Sequence, residues 1–273
     1  MSKSCIQLVS LCLLLASSLH SAQAASFKFH SKFAETKWSA TITGSLTYPK
    51  GSGPFPVVVF LHPCGGITPG VLKALNAHAR FMNRNGFAAL VLDSFGPRRL
   101  AGGKVCGGGA LSDTGIDLVI EDAFNAIVAL RRVRRIDADN TFLAGQSLGG
   151  IAAAWAATRT HRQRNNLFRA VTAWYPRCNA MTGGTKLRSP LLVLAGGKDD
   201  WTPPDQCRQA KAQGWVTGAD FDVIVYPDAL HGFDQPSKTR TYRGYTLGYN
   251  ARATANGRDR MLEFFKRHLK AKP

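Results

Sequence analysis

A chain of 273 residues with 45% hydrophobic and 10% aromatic side chains has enough apolar material for one large core, and it contains no internal repeat or low-complexity tract. Its 35 lysines and arginines against 17 carboxylates give a formal charge of +18, which favours contact with anionic surfaces or polymers. The basic residues are scattered, at Arg80 and Arg84, Arg98 and Arg99, Arg131 to Arg135, and Lys266 to Lys272, without a binding module of interleaved aromatics. No nucleic-acid partner is therefore expected, and a solvated basic face is the default reading.

Residues 1–24 have the layout of a secretory signal: Lys3, the apolar run Leu8–Ala16, then Ala22-Gln23-Ala24 as a small-residue cleavage site. An uncleaved anchor is the alternative, although the apolar run is short for a membrane span. Cleavage leaves 25–273 as a single α/β domain with no membrane span, exported to the periplasm or beyond. Cys5 and Cys12 leave with the signal, while Cys64, Cys106, Cys178 and Cys207 remain. An even number in an exported protein points to two disulfides, and Cys64 with Cys106 and Cys178 with Cys207 would each join neighbouring loops at one end of a sheet. The spacing lacks the C-x-x-C pattern of a metal site.

Trp38–Tyr48 alternates as a strand and is followed by the turn Gly51-Ser-Gly-Pro54. Phe55–His62 is a nearly unbroken apolar run, as in a strand buried on both faces, and leads into His62-Pro-Cys-Gly-Gly66. Val71, Leu72, Leu75, Ala79 and Met82 mark a helix stopped at Gly86, and Phe87–Leu92 is the next buried strand. A long glycine-rich loop runs from Asp93 through Gly109, and its length implies a function or a disulfide tether. Ile116, Ile120, Phe124, Ile127 and Leu130 give one face of a helix from about Asp113 to Arg135, closed by arginines. Short strands are expected at Ala170–Trp174, Pro190–Ala195 and Phe221–Tyr226, and a last helix carries Met261, Leu262, Phe264, Phe265 and Leu269. Such alternation of strand and helix predicts an open, mostly parallel sheet with helices on both faces, whose functional residues gather at the carboxyl ends of the strands.

Thr141–Gly150 is the centre of this pattern, an apolar run that stops at Gly145-Gln-Ser-Leu-Gly149 before an alanine-rich helix. Small residues on either side of Ser147 suit a sharp strand-to-helix turn that exposes a nucleophile. A serine hydroxyl needs a general base, and the base needs an acid to hold its tautomer. The strand Pro190–Ala195 runs into Gly196-Gly-Lys-Asp-Asp200, which offers Asp199 or Asp200 as the acid. The strand Phe221–Tyr226 runs into Pro227-Asp-Ala-Leu-His231, which offers His231 as the base. For an oxyanion hole, the N–H of Leu148 at the start of the helix is one candidate donor. Cys64 N–H, with Gly65 as second choice, is the other.

Together these stretches resemble the dienelactone hydrolase family of α/β-hydrolases, through His62-Pro-Cys-Gly-Gly66, Asp93-Ser-Phe-Gly-Pro-Arg98, Gly145-Gln-Ser-Leu-Gly149, Gly196–Pro203 and Tyr226–Phe233. The resemblance implies an α/β-hydrolase fold, carboxylic-ester hydrolysis and no metal or organic cofactor. It also implies Asp199 as the acid, because in the family that residue lies four positions before the proline that stands here at Pro203. Members that give the family its name use a cysteine nucleophile in the cytosol, whereas this chain has Ser147 and an export signal.

Three other readings compete with a small-ester hydrolase. Lys238–Tyr249, aromatic and basic, would line an acyl or sugar site in a secreted esterase of polyesters or acetylated polysaccharides, or in a peptidase; as a bland surface loop it would do neither. A non-catalytic binding protein on a hydrolase scaffold is the third, since fold alone does not dictate function.

Overall fold

Runs of β-branched and other apolar residues without polar alternation need cover on both faces, and in the computed structural model they form the interior of one eight-stranded sheet. Residues 24–33, 36–159, 168–178, 181 and 183–271 are described. The expected signal segment therefore lies outside the described residues except for Ala24. In chain order the elements are β1 (Ala25–Ser31), β2 (Ala40–Thr47), β3 (Phe55–Leu61), α1 (Pro69–Arg84), β4 (Ala88–Asp93), α2 (Ala110–Leu130), β5 (Ile136–Gln146), α3 (Leu148–Ala156) and β6 (Val171–Trp174). They continue with β7 (Thr185–Leu187), β8 (Leu191–Gly196), α4 (Asp205–Ala212), β9 (Val216–Gly218), β10 (Phe221–Tyr226), β11 (Arg240–Tyr242), β12 (Tyr245–Leu247) and α5 (Ala251–Arg267).

The large sheet has the order β1-β2-β4-β3-β5-β6-β8-β10. Strands β4 to β10 in that order are parallel, while β2 runs antiparallel to β4 and β1 antiparallel to β2 at one edge. Two apolar clusters flank it. Val57, Val59 and Leu61 of β3 point into the one built with α2 and α3, and Val58 and Phe60 point into the one built with α1 and α5. This is the period of two expected of a strand, with both faces buried.

Local sequence accounts for the starts of α1 and α5. Thr68 caps α1 by accepting the Val71 N–H at 3.3 Å, Pro69 stands in its first turn, and Asn250 caps α5 through Ala253 N–H at 3.0 Å. Helix α2 ends at Leu130, five positions before the arginine run is over. The tail Arg131–Arg135 instead turns back to β5, and the Arg135 guanidinium lies 4.1 Å from the Tyr48 ring and donates to Gly51 O at 2.8 Å. Leu269 lies beyond α5 and is exposed, so it is not part of that helix's buried stripe.

Arg98 also departs from the solvated basic face. Its side chain is 2% exposed and forms a two-pronged ion pair with the buried Asp122 of α2, at 2.6 and 2.9 Å. It further donates to Trp38 O and Ser94 O, so it ties the loop after β4 to α2 and to the chain entering β2.

Both expected disulfides form, Cys64–Cys106 and Cys178–Cys207. The four thiols are thus not metal ligands. Closing a loop of sequence separation 29 restricts the unfolded chain. Replacing Cys178 and Cys207 by serine should therefore lower the unfolding free energy by about 3 kcal/mol in a denaturant titration, with the Cys64–Cys106 bond intact.

Candidate active site

Strand β5 enters the turn at Gly145 and leaves it in α3, and the two segments come so close that a Cβ on Gly145 would collide with the carbonyl of Gly149. Ser147, between them, has φ +53° and ψ −115°, a left-handed conformation that a residue other than glycine adopts only under constraint. Its N–H donates to Trp174 O at 2.9 Å and its carbonyl accepts from Ile151 N–H at 2.8 Å, so the turn is held from β6 and from α3. Leu148 begins the helix, with its N–H among the first-turn donors that have no partner within a helix.

His231 and Asp199 converge on this serine from the ends of β10 and β8. Ser147 Oγ is 3.0 Å from His231 Nε2, and His231 Nδ1 is 2.8 Å from Asp199 Oδ2. All three are buried, at 7%, 3% and 3% exposure. Asp199 Oδ1 accepts the N–H groups of Trp201 and Thr202 at 2.9 and 2.8 Å, which fixes the carboxylate's orientation. The double glycine before it has a steric cause: a Cβ on Gly196 would be 2.5 Å from Ala229 O, because the acid loop lies against the turn that carries the histidine.

Asp200, the other acid candidate, is exposed and turned away. Its carboxylate accepts Thr246 N–H at 3.0 and 3.1 Å and so anchors the hairpin β11–β12. That hairpin lies within Lys238–Tyr249, read from sequence as a surface loop with scattered aromatics. Tyr245 stacks on Trp201 with centroids 4.9 Å apart and planes 8° apart, and Trp201 lies 4.9 Å from the His231 ring. Gly248 N–H reaches His231 O at 3.2 Å, and Arg243 donates to Gly103 O in the glycine-rich loop at 3.2 Å.

The loop after β3 sits beside the turn, since a Cβ on Gly149 would be 2.6 Å from His62 O. His62 Nε2 accepts Ser94 N–H at 3.1 Å, which leaves the proton on Nδ1, 2.8 Å from Pro63 O. The loop is pinned again by Cys64–Cys106 and by Gly102 N–H to Gly65 O at 3.1 Å. Cys64 is thereby held in the loop whose His62 carbonyl packs against Gly149 of α3.

Several residues of the site escaped sequence reasoning. Thr202 Oγ1 is 2.9 Å from Asp199 Oδ2, 3.1 Å from His231 Nδ1 and 3.1 Å from Tyr175 O, and it bridges Asp199, His231 and the residue after β6. Tyr175, with φ +40°, sets its ring 4.9 Å from His231 at an interplanar angle of 68°, against 40° for Trp201. Beneath them Asp234 is fully buried and accepts from Tyr175 OH at 2.6 Å, from Gln146 Nε2, and from His78 Nε2 at 2.6 Å. The only cue in sequence was an acid three places after the histidine, which by itself is common.

This topology, with Ser147 at the strand-to-helix turn and Asp199 and His231 on later loops, is that of the α/β-hydrolase fold. The family described as dienelactone hydrolase matches residues 42–269, and the chain belongs to it. A candidate carboxymethylenebutenolidase of Escherichia coli (strain K12) is 29% identical over 124 residues, 41% of this chain and 42% of that one. The match thus spans less than half the length of this relative. A dienelactone hydrolase from Anabaena variabilis ATCC 29413 superposes with a TM-score of 0.61 at 19% identity, over 91% of this chain and all (100%) of that one. The dienelactone hydrolase-like promiscuous phosphotriesterase P91 from metagenomic libraries gives 0.62 at 21%, over 92% and 100%. At these identities the two structures bear on the fold.

Burial lowers His62 and His78 from the ordinary value of 6.5, against the opposing hydrogen bonds of Pro63 and Asp234. Below pH 6.5 the unfolded chain therefore binds protons that the native one refuses, and stability rises with pH in that window. The contribution is fully present above 6.5 and is lost on acidification toward the depressed native values. The unfolding free energy from denaturant titrations should therefore fall as the pH is lowered from about 7 to about 5.5. An unchanged free energy would mean that the two rings take up protons alike in the native and unfolded chains.

Proposed function

We propose that the protein is a serine hydrolase of carboxylic esters, with Ser147 as nucleophile, His231 as general base and Asp199 as the acid that orients it. The observation that carries this reading is the unbroken line Ser147 Oγ, His231, Asp199, with spacings of 3.0 and 2.8 Å. Family membership supports the same reading independently.

In the first half-reaction Ser147 Oγ attacks the ester carbonyl carbon while His231 Nε2 takes its proton. The oxyanion is held by the N–H groups of Leu148 and Cys64, with Gly65 as the second choice for the latter. His231 then passes the proton to the departing alcohol, leaving an acyl-serine. Water, deprotonated by His231, attacks that ester, the carboxylic acid leaves, and Ser147 recovers its proton. Asp199 stays ionised throughout, accepting from Nδ1–H and stabilising the imidazolium. No metal or organic cofactor has a step in this scheme, and the substrate is a small-molecule or polymeric ester. Two disulfides support an exported protein in an oxidising compartment. Among the described residues no helix is long and apolar enough to cross a membrane.

Hydrolysis of a short nitrophenyl ester tests the reading. Ser147→Ala should lose about a thousandfold or more in kcat, and full retention would overturn the nucleophile assignment. Asp199→Asn should lose on the order of a thousandfold, whereas Asp200→Asn should lose less than about tenfold, since Asp200 anchors a hairpin and does not reach His231. The reverse order would exchange the two acids.

A further inference from the structure

The buried carboxylate of Asp234 has no part in the scheme above, yet it lies where the supports of nucleophile and base meet. Its three donors come from three separate elements: His78 from α1, Gln146 from the last position of β5, and Tyr175 from the residue after β6. Gln146 is bonded in sequence to Ser147. Tyr175 meets the His231 ring directly, and its carbonyl lies 3.1 Å from Thr202 Oγ1 beside Asp199. Asp234 itself is on the loop of His231.

A chain of hydrogen bonds reaches this carboxylate from α5. Arg258 Nε, which can only donate, lies 3.2 Å from His78 Nδ1, so that nitrogen carries a lone pair and the ring is neutral with its proton on Nε2. A chain therefore runs from the half-buried arginine of α5, through a neutral imidazole, to a buried carboxylate. Burial raises the Asp234 carboxyl, but its hydrogen bond and electrostatic interaction with His78, together with the hydrogen bonds from Tyr175 and Gln146, hold it below its ordinary value. Burial and the Asp234 charge push the Tyr175 hydroxyl well up, so it remains a donor. Apolar packing would fill the same space without the desolvation cost of a charge. What the anion adds is direction, three donors aimed at one point.

We propose that Asp234 is a positioning residue for the Ser147–His231 pair, acting through Gln146 on the nucleophile's side and through Tyr175 on the base's side. The proposal rests on the esterase reading above. Since Asp234 touches neither substrate nor reacting atoms, its loss should lower kcat and leave KM nearly alone, because small misalignments of reacting groups are costly.

The test is a double-mutant cycle on nitrophenyl ester hydrolysis with Asp234→Ala, Tyr175→Phe and the pair, each first checked for a cooperative thermal transition, with Ser147→Ala run alongside. Asp234→Ala is expected to lose about tenfold or more in kcat with KM within about twofold, and Tyr175→Phe about threefold. The double variant should be no slower than Asp234→Ala, since the tyrosine acts through the carboxylate. A folded Asp234→Ala with unchanged kcat, a loss confined to KM, or two losses that simply multiply overturns the proposal. Where Asp234→Ala does not fold, Tyr175→Phe decides, and an undiminished kcat overturns it. Hydrolysis retained by Ser147→Ala would instead sink the nucleophile assignment, and no hydrolysis by the unaltered protein would sink the esterase reading, so these failures are distinguishable from that of the proposal.

Discussion

The structure depends on how little room the chain leaves between β5 and α3. Gly145, Gly149 and the carbonyl of His62 are packed so closely that no side chain fits at either glycine, and Ser147 is forced to a positive φ between them. That strain is local, of the order of 1–3 kcal/mol, and is borne by a sheet buried on both faces. In return the serine hydroxyl projects beyond the sheet edge and the helix start faces the loop after β3. Everything else at the carboxyl edge is arranged relative to this one turn.

Burial then makes every polar contact nearby consequential. Asp199, His231, Asp234, His78, His62 and Asp122 are all buried, and each is hydrogen-bonded to a partner from a different element. In a low-dielectric interior an unpaired group would be expensive, so these contacts specify a single arrangement of loops more than they add net stability. Two Asp–His pairs lie on either side of Tyr175. The outer one reaches Ser147, and the inner one supports the backbone from which the outer one is built.

A third set of constraints closes the site from above. The hairpin β11–β12 is held by Asp200, by the strand pairing of Leu247 with His231, and by Arg243 on the glycine-rich loop, which Cys106 in turn ties to Cys64. Trp201, stacked on Tyr245, transmits this packing to the histidine ring. The loop before α2 owes its length to these tethers, together with the inward-turned Arg98 at its start.

Sequence alone indicated the main alternation of strands and helices, both disulfide pairings, and Ser147, His231 and the adjacent Asp199 and Asp200 as candidates, because each depends on short-range signals: unbroken apolar runs, glycine pairs at crowded turns, and acids or a histidine just past a strand. It left Asp199 and Asp200 nearly equivalent until family resemblance was added, since adjacent carboxylates differ only in which way their loop turns. Only the tertiary structure decided that Asp200 holds a hairpin, that Arg98 is buried against Asp122, and that Thr202, Tyr175, Asp234 and His78 converge beneath the site. Those contacts join residues far apart in the chain, up to 156 positions for His78 and Asp234, and no local pattern encodes a partner at that distance.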